Sequence, residues 1–214
     1  MTAQRVILLR HGVTEWNDAG RFQGHTDIPL SAEGVRLAER AAAVLAGYGI
    51  PQVVSSDLSR ARQTAEAVAS ACRLAVGLDA RLREVDVGSW SGLDMKTVGE
   101  RVPDFWPALR EGRDFRRSPE GETATESGQR VAGAVVEHAA AAGQDDLLLV
   151  VGHGLSLRVA ALLLMGLDYS HARLFGGLAN CGWVELRPPD GAVGWAGGSG
   201  EHWRMNAYNR IAES

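Results

Sequence analysis

Two histidines occupy matching local settings in this sequence. In Arg10-His11-Gly12-Val13-Thr14-Glu15-Trp16-Asn17 an imidazole follows the apolar run 6–9, and in Val150-Val151-Gly152-His153-Gly154 a second imidazole again lies between an apolar run and a glycine. A glycine at that point lets the backbone turn sharply and approach a ligand closely. Arg10 adds a planar fork matched to the oxygens of a phosphoryl group. If the two imidazoles converge, one can attack phosphorus while the other, protonated, holds an equatorial oxygen, because phosphoryl transfer is catalysed mainly by positioning and charge stabilisation. The segment Ser55-Ser56-Asp57-Leu58-Ser59-Arg60-Ala61-Arg62-Gln63-Thr64-Ala65 enters a helix, whose first turn favours anions through free N–H groups and the helix dipole. Arg60 and Arg62 are two residues apart and do not share a face, so one enters the pocket and the other is solvated or salt-bridged. In Arg81-Leu82-Arg83-Glu84-Val85-Asp86-Val87-Gly88-Ser89-Trp90-Ser91-Gly92, either Glu84 or Asp86 can serve as a general acid and then as a base toward water, a role worth about 10² to 10⁴ in rate.

These groups need a scaffold that brings distant segments together. Runs rich in Val, Ile and Leu at 6–9, 52–55, 147–151 and 183–186 read as mostly buried strands. Helical spacing covers 31–45, 59–71, 125–142 and 156–165, several of these opened by a Ser or Thr able to cap the first turn. Alternation of this kind predicts a three-layer α/β/α fold with a mostly parallel central sheet, and ligands beyond the carboxyl ends of its strands. The stretch 84–129 breaks the alternation with Gly, Pro, Trp and charge around a short helical piece at 104–111, and its part from about 85 to 129 is expected to cover the site as an insertion. Residues 191–200, rich in glycine, read as a surface turn. A single domain over 1–214 is the expectation, since this length suits one sizeable core.

Composition narrows the partners. With 22 Lys+Arg against 26 Asp+Glu the net charge is −4, which argues against nucleic acid or an anionic membrane as the main partner. Lys96 is the only lysine, a skew that coding bias explains without any function. The N-terminus lacks the charged and apolar regions of a signal peptide, and the apolar stretch 159–167 is too short to span a bilayer. Cys72 and Cys181 fit neither a zinc spacing nor a redox pair, in keeping with a reducing cytoplasm. His25, His138, His171 and His202 lie in turns, loops or a helix face and are assigned no catalysis. A serine hydrolase elbow is not present, because Gly154-Leu155-Ser156-Leu157-Arg158 lacks its last glycine. A non-catalytic phospho-ligand-binding protein would have lost the nucleophile or the acid, yet His11 and Glu84 are both in place.

Arg10-His11-Gly12-Val13-Thr14 with Asn17, the segment 55–65, the segment 82–92 and Val151-Gly152-His153-Gly154, in this order over most of the chain, together resemble the histidine phosphatase superfamily, with its phosphoglycerate-mutase-like fold. Carried over by position, the resemblance implies that His11 is the nucleophile, that Arg10, Arg62 and His153 hold the phosphoryl oxygens and that Glu84 is the proton donor. Asn17, Gln23, Gly24 and Gly154 are implied to line the phosphate or substrate pocket. No metal or other cofactor is implied, the positive cluster taking the part magnesium plays elsewhere.

That superfamily contains hydrolases and cofactor-dependent phosphoglycerate mutases. Mutases place Arg directly after the acidic Glu and a Tyr shortly beyond, whereas this chain has Val85-Asp86-Val87-Gly88-Ser89-Trp90. The departure favours hydrolysis of a small phosphorylated metabolite, while Arg116-Arg117 resembles a basic pair of the mutases and keeps that alternative open. Gly176-Gly177 with Asn180 and Trp183, then Trp203-Arg204-Met205 and Tyr208-Asn209, is similar to the actinobacterial glucosyl-3-phosphoglycerate phosphatase branch, with alpha-ribazole phosphatases as a competing branch. A homodimer is left open.

Overall fold

In the computed structural model, residues 3–143, 146–189 and 202–212 are described, so the turn expected at 191–200 lies outside the described residues. The chain runs through β1 (Arg5–Arg10), α1 (Glu15–Asp18), α2 (Ala32–Leu45), β2 (Gln52–Ser55), α3 (Ser59–Cys72), β3 (Val76–Leu78), α4 (Met95–Arg101), α5 (Phe105–Glu111), α6 (Ala124–Ala141), β4 (Leu147–Gly152), α7 (Gly154–Leu164), β5 (Trp183–Arg187) and β6 (Arg204–Arg210). Its strands form one six-stranded sheet in the order β3-β2-β4-β1-β5-β6. Pairs β2–β3, β2–β4 and β1–β4 are parallel, and β5 runs antiparallel to both of its neighbours.

Continuous apolar runs make these strands because both faces of the sheet are covered. From β1, Val6 and Leu8 enter one cluster with Val131 and Val135 of α6 and Leu157 and Ala161 of α7. Ile7 and Leu9 enter the opposite cluster with Ala42 and Leu45 of α2 and Ala61, Ala65 and Val68 of α3. Each fully buried Leu, Ile or Val contributes about 1.5–3 kcal/mol, so the central strands are anchored from both sides. Two strands escape the sequence expectation. β3 is a three-residue edge strand, and β6, Arg-Met-Asn-Ala-Tyr-Asn-Arg, is polar and partly exposed along its length.

Residues 79–123 carry only short 3-10 turns and the helices α4 and α5, around a small aromatic cluster of Trp90, Phe105, Phe22 and Phe115. The break in the strand–helix alternation read from the sequence is thus present, and it ends before 129. Thr123 caps α6 in a reciprocal box with Glu126, so 124–129 already belong to the helix.

The loop after β1 packs backbone against backbone on the start of α2. A Cβ on Gly12 would lie 2.5 Å from the Gly34 carbonyl oxygen, and one on Gly34 would lie 2.0 Å from that of Val13. Ser31 caps α2 through the Gly34 N–H at 3.1 Å and donates its hydroxyl to the Val13 carbonyl. Gly34→Ala should therefore push α2 off this loop. Overpacking of this kind costs about 2 kcal/mol, or roughly 4–8 °C in Tm, readable by thermal unfolding. An unchanged Tm would contradict the close packing described here.

Candidate active site

Register explains how the two histidines meet. Arg10 of β1 pairs with Gly152 of β4 in parallel, so His11 and His153 each stand one residue beyond a matched strand end. Their ring centroids are 5.1 Å apart at 62°. Both are buried, at 3% and 0% exposure. The Gly12 N–H is held by the Thr64 hydroxyl of α3 at 3.0 Å, and the His11 carbonyl accepts from the Cys181 N–H and from Asn180 Nδ2.

His11 Nδ1 lies 2.6 Å from the Gly12 carbonyl. A carbonyl only accepts, so the proton sits on Nδ1 and Nε2 keeps its lone pair. Burial, then Arg60 and Arg10, pushes the His11 pKa well below the usual histidine range, holding the ring neutral. His153 shows the same direction, from burial first and then Arg60, His11 and Arg10. Its Nδ1 accepts from Arg60 Nε at 3.2 Å, and Nε2 bonds the buried Ser56 hydroxyl at 2.9 Å. The expectation of a protonated His153 is therefore corrected. A guanidinium donor on Nδ1 and full burial both require the neutral ring.

A second correction concerns the arginines. Arg60 is fully buried and lines the cleft, while Arg62 does not. Arg62 is half exposed and pairs with Glu66 along the outer face of α3 at 3.7 Å. Positions 60 and 62 are roughly 200° apart around the helix, so the one that faces the sheet edge excludes the other. Arg60 donates from Nη2 to the Gly24 carbonyl and from Nη1 to that of Thr26, both at 2.8 Å. Gly24 makes this possible with φ +51, where a Cβ would strike Val87. Burial lowers the Arg60 pKa to about 10, with Glu84 and Asp27 opposing, so the group remains charged at neutral pH.

Arg10 donates Nη1 to the Leu178 carbonyl at 2.6 Å, and its Nε is buried without a partner among the described residues. The guanidinium lies over Gly154, where a Cβ would come within 3.1 Å of Arg10 Nε. Gln23 Oε1 is also buried and unpaired among the described residues. Such orphaned atoms cost about 1–3 kcal/mol unless something binds them, which marks both side chains as candidate ligand contacts. Asn17 is set by its capping box with Thr14, and its Oδ1 also accepts from Asn180 Nδ2 at 3.4 Å.

Glu84, rather than Asp86, lines the cleft. Its Oε1 accepts from the N–H groups of Val85 and Ser156 at 2.9 Å, and Oε2 accepts from that of Leu155 at 3.2 Å. The first turn of α7 is thus occupied by a carboxylate of the protein itself. The same holds for α3, where Asp27 accepts from the Ser59 N–H at 2.7 Å and its hydroxyl at 2.8 Å. The Leu155 and Ser156 N–H groups of α7 and the Ser59 N–H of α3 are therefore taken by carboxylates of the protein itself, where the sequence pattern led to the expectation of an anion site at the start of α3.

The resulting cleft has a volume of about 200 Å³ and is completed by Arg21, Phe22, Val85, Val87, Arg117 and Leu155. Arg21 and Phe22 carried no signal at the level of motif spacing, whereas Arg117 was marked only as half of the basic pair Arg116-Arg117. Of the basic pair only Arg117 reaches the cleft, stacked on Phe115 at 4.4 Å, whereas Arg116 pairs with Glu126 at the surface. Among the described residues no three His, Cys, Asp or Glu side chains converge as a metal site, and no helix is long and apolar enough to cross a membrane.

Comparison with known proteins agrees with this geometry. A profile of the histidine phosphatase superfamily (branch 1) matches residues 6–196. The chain is 39% identical over 178 residues to a protein of Proteus mirabilis named probable phosphoglycerate mutase GpmB, covering 83% of this chain and 81% of that one. It is 34% identical to the glucosyl-3-phosphoglycerate phosphatase of Mycolicibacterium vanbaalenii, covering 100% of this chain and 97% of the relative. The solved structure of a mycobacterial glucosyl-3-phosphoglycerate phosphatase in complex with VO3 superposes with a TM-score of 0.84 at 31% identity, covering 96% of this chain and 98% of that one. With its fold, paired strand-end histidines and nearly full-length profile match in agreement, the chain belongs to the histidine phosphatase superfamily.

Proposed function

We propose that this phosphatase hydrolyses a small phosphorylated metabolite through a phosphohistidine on His11. The observation that carries the reading is the fixed tautomer of His11, with its Nδ1 proton bound by Gly12 and its Nε2 lone pair left over, in a cleft that also holds Arg10 and Arg60. Nε2 attacks phosphorus and the bond to the leaving oxygen breaks, that oxygen taking the proton of Glu84, whose carboxylate has first received it from the bound phosphate monoanion. Water then attacks the phosphohistidine, the N–P bond breaks, and the Glu84 carboxylate accepts the proton of the water. Arg10 and Arg60 hold the nonbridging oxygens through both steps, the uncharged His153 joins them by turning its Nε2–H from the Ser56 hydroxyl to an oxygen, and Asn17, Gln23 and the Gly24 and Gly154 backbone shape the pocket.

The substrate we favour is a phosphoglycerate or a sugar ester of one. A cleft of about 200 Å³ suits a small metabolite, Arg21 and Arg117 give its wall positive charge for a carboxylate, and two relatives bear the name glucosyl-3-phosphoglycerate phosphatase. Val85 supports hydrolysis over mutation, since an apolar wall stands where mutases of the superfamily carry an arginine. The mutase reading draws on Arg117 in the cleft and on the name of the Proteus relative. We place the protein in the cytoplasm, where Cys72 and Cys181 remain free thiols. The reading needs no second copy of the chain, so a homodimer is not required for activity.

Three outcomes test this. His11→Ala is expected to abolish phosphoenzyme labelling and to lower turnover about 10⁴-fold or more, and normal turnover in that variant would refute the nucleophile. Arg60→Ala should lower kcat/KM about 10² to 10³-fold as an oxyanion donor is lost, whereas Arg62→Ala should change it by less than about threefold, as befits an exposed ion pair. The reverse order would restore Arg62 to the site. Incubated with 3-phosphoglycerate, with and without the bisphosphate, the enzyme should release free phosphate. Dominant formation of 2-phosphoglycerate would make it a mutase.

A further inference from the structure

Glu84 stands in irregular backbone between the 3-10 turns Ala80–Leu82 and Gly88–Trp90, so although the Leu155 and Ser156 N–H groups of α7 hold its carboxyl, neither a helix nor a strand ladder fixes the backbone that carries it. What fixes this backbone lies outside the cleft. Arg130, on the second turn of α6, reaches across with Nη1 to the carbonyls of Arg81 at 2.7 Å and Arg83 at 3.1 Å, and with Nη2 to that of Glu84 at 3.2 Å. Its Nε and Nη2 also grip the Glu122 carboxylate at 3.0 and 2.7 Å. Every N–H of the guanidinium therefore has an acceptor, a full use of the five-donor fork.

Glu122 continues the tie. Its Oε2 accepts from the Asp86 N–H at 3.0 Å, and its own N–H donates to the Asp86 carbonyl at 2.8 Å. The pair is only about a quarter exposed, at 22% and 25% for the two side chains, which shields it from the solvent that weakens surface ion pairs. His25 adds a second donor, Nε2, to the Glu84 carbonyl at 2.8 Å. Arg130 is not among the residues lining the cleft, so it reaches the reaction only through the loop it holds.

We propose that Arg130, anchored by Glu122, is a positioning residue that aims the Glu84 carboxyl at the leaving oxygen. The proposal rests on the assignment of Glu84 as proton donor and adds to it the device that holds the donor in place. A purely structural brace would, when cut, weaken activity on every substrate alike. A brace for the acid slows phosphohistidine formation, the step that kcat/KM reports, only where the leaving oxygen needs a proton, while the part Glu84 plays as base toward water falls in a second step shared by all substrates.

The test compares p-nitrophenyl phosphate, whose leaving group needs little protonation, with 3-phosphoglycerate, whose alkoxide needs much. Glu84→Gln serves as the reference. Arg130→Gln is expected to lower kcat/KM on 3-phosphoglycerate about tenfold to a hundredfold, the scale of a misplaced catalytic group, while changing that on p-nitrophenyl phosphate by less than about threefold. Adding Arg130→Gln to Glu84→Gln should then cost nothing further, because both act through one group. Equal losses on the two substrates, no loss, or additive losses in the double variant would overturn the proposal, provided Glu84→Gln alone shows the split. If Glu84→Gln shows no split, the acid assignment itself fails and takes the proposal with it. Should Arg130→Gln not fold, Arg130→Lys and Glu122→Gln are judged by the same split, and failure of all three to fold would mark the tie as structural and overturn the proposal.

Discussion

The hydrogen bond from His11 Nδ1 to the Gly12 carbonyl, 2.6 Å long and sealed from water, determines which nitrogen of the ring can react. Most of the fold near the cleft serves that contact. The Gly12 carbonyl can turn back onto its neighbour because the loop lies flat against α2, with Thr64 of α3 holding the Gly12 N–H. Asn180 and Cys181, just before β5, hold the His11 carbonyl from the other side. Four segments far apart in sequence thus converge on two residues, and parallel register between β1 and β4 brings the second imidazole beside the first.

Charge is arranged with the same economy. Arg60 is buried as a cation, which is tolerable only because two carbonyls, a ring nitrogen and nearby carboxylates satisfy it. Burial first, and then its presence with that of Arg10, keeps both histidines neutral. A neutral His11 can attack, and a cleft that is positive from guanidinium groups alone attracts an anion without consuming the nucleophile. The carboxylates Glu84 and Asp27 occupy the helix starts nearby, leaving arginine as the main positive charge that a phosphoryl group meets.

Much of this was legible in the sequence. Val6, Leu8, Leu148 and Val150 announce strands buried on both faces, and His11, His153 and Glu84 stand where strand ends and a loop must put them. Ser31, Ser59 and Thr125 at the openings of apolar helical periods placed α2, α3 and α6 within a residue or two. What failed did so for physical reasons. β6 pairs through its backbone while its side chains stay polar, and β3 is too short to show a period. The choice between Arg60 and Arg62 depends on the rotational phase of α3 against the sheet, which a motif fixes only if it is aligned to the residue, and carrying the motif over by resemblance set it two positions too far along. Arg21 and Arg130 take their roles from tertiary proximity alone, since nothing near them in the chain resembles a site, and the pair Arg116-Arg117 gave no sign of which member reaches the cleft.

The account stands or falls on the state of one imidazole. In protein labelled with ¹⁵N at histidine, the ring nitrogens of His11 should report a neutral imidazole at about pH 7 with the proton on Nδ1, and this state should persist as the pH is lowered through the ordinary histidine range. A proton found on Nε2, or an imidazolium at neutral pH, would leave Nε2 no lone pair for phosphorus and would contradict the account.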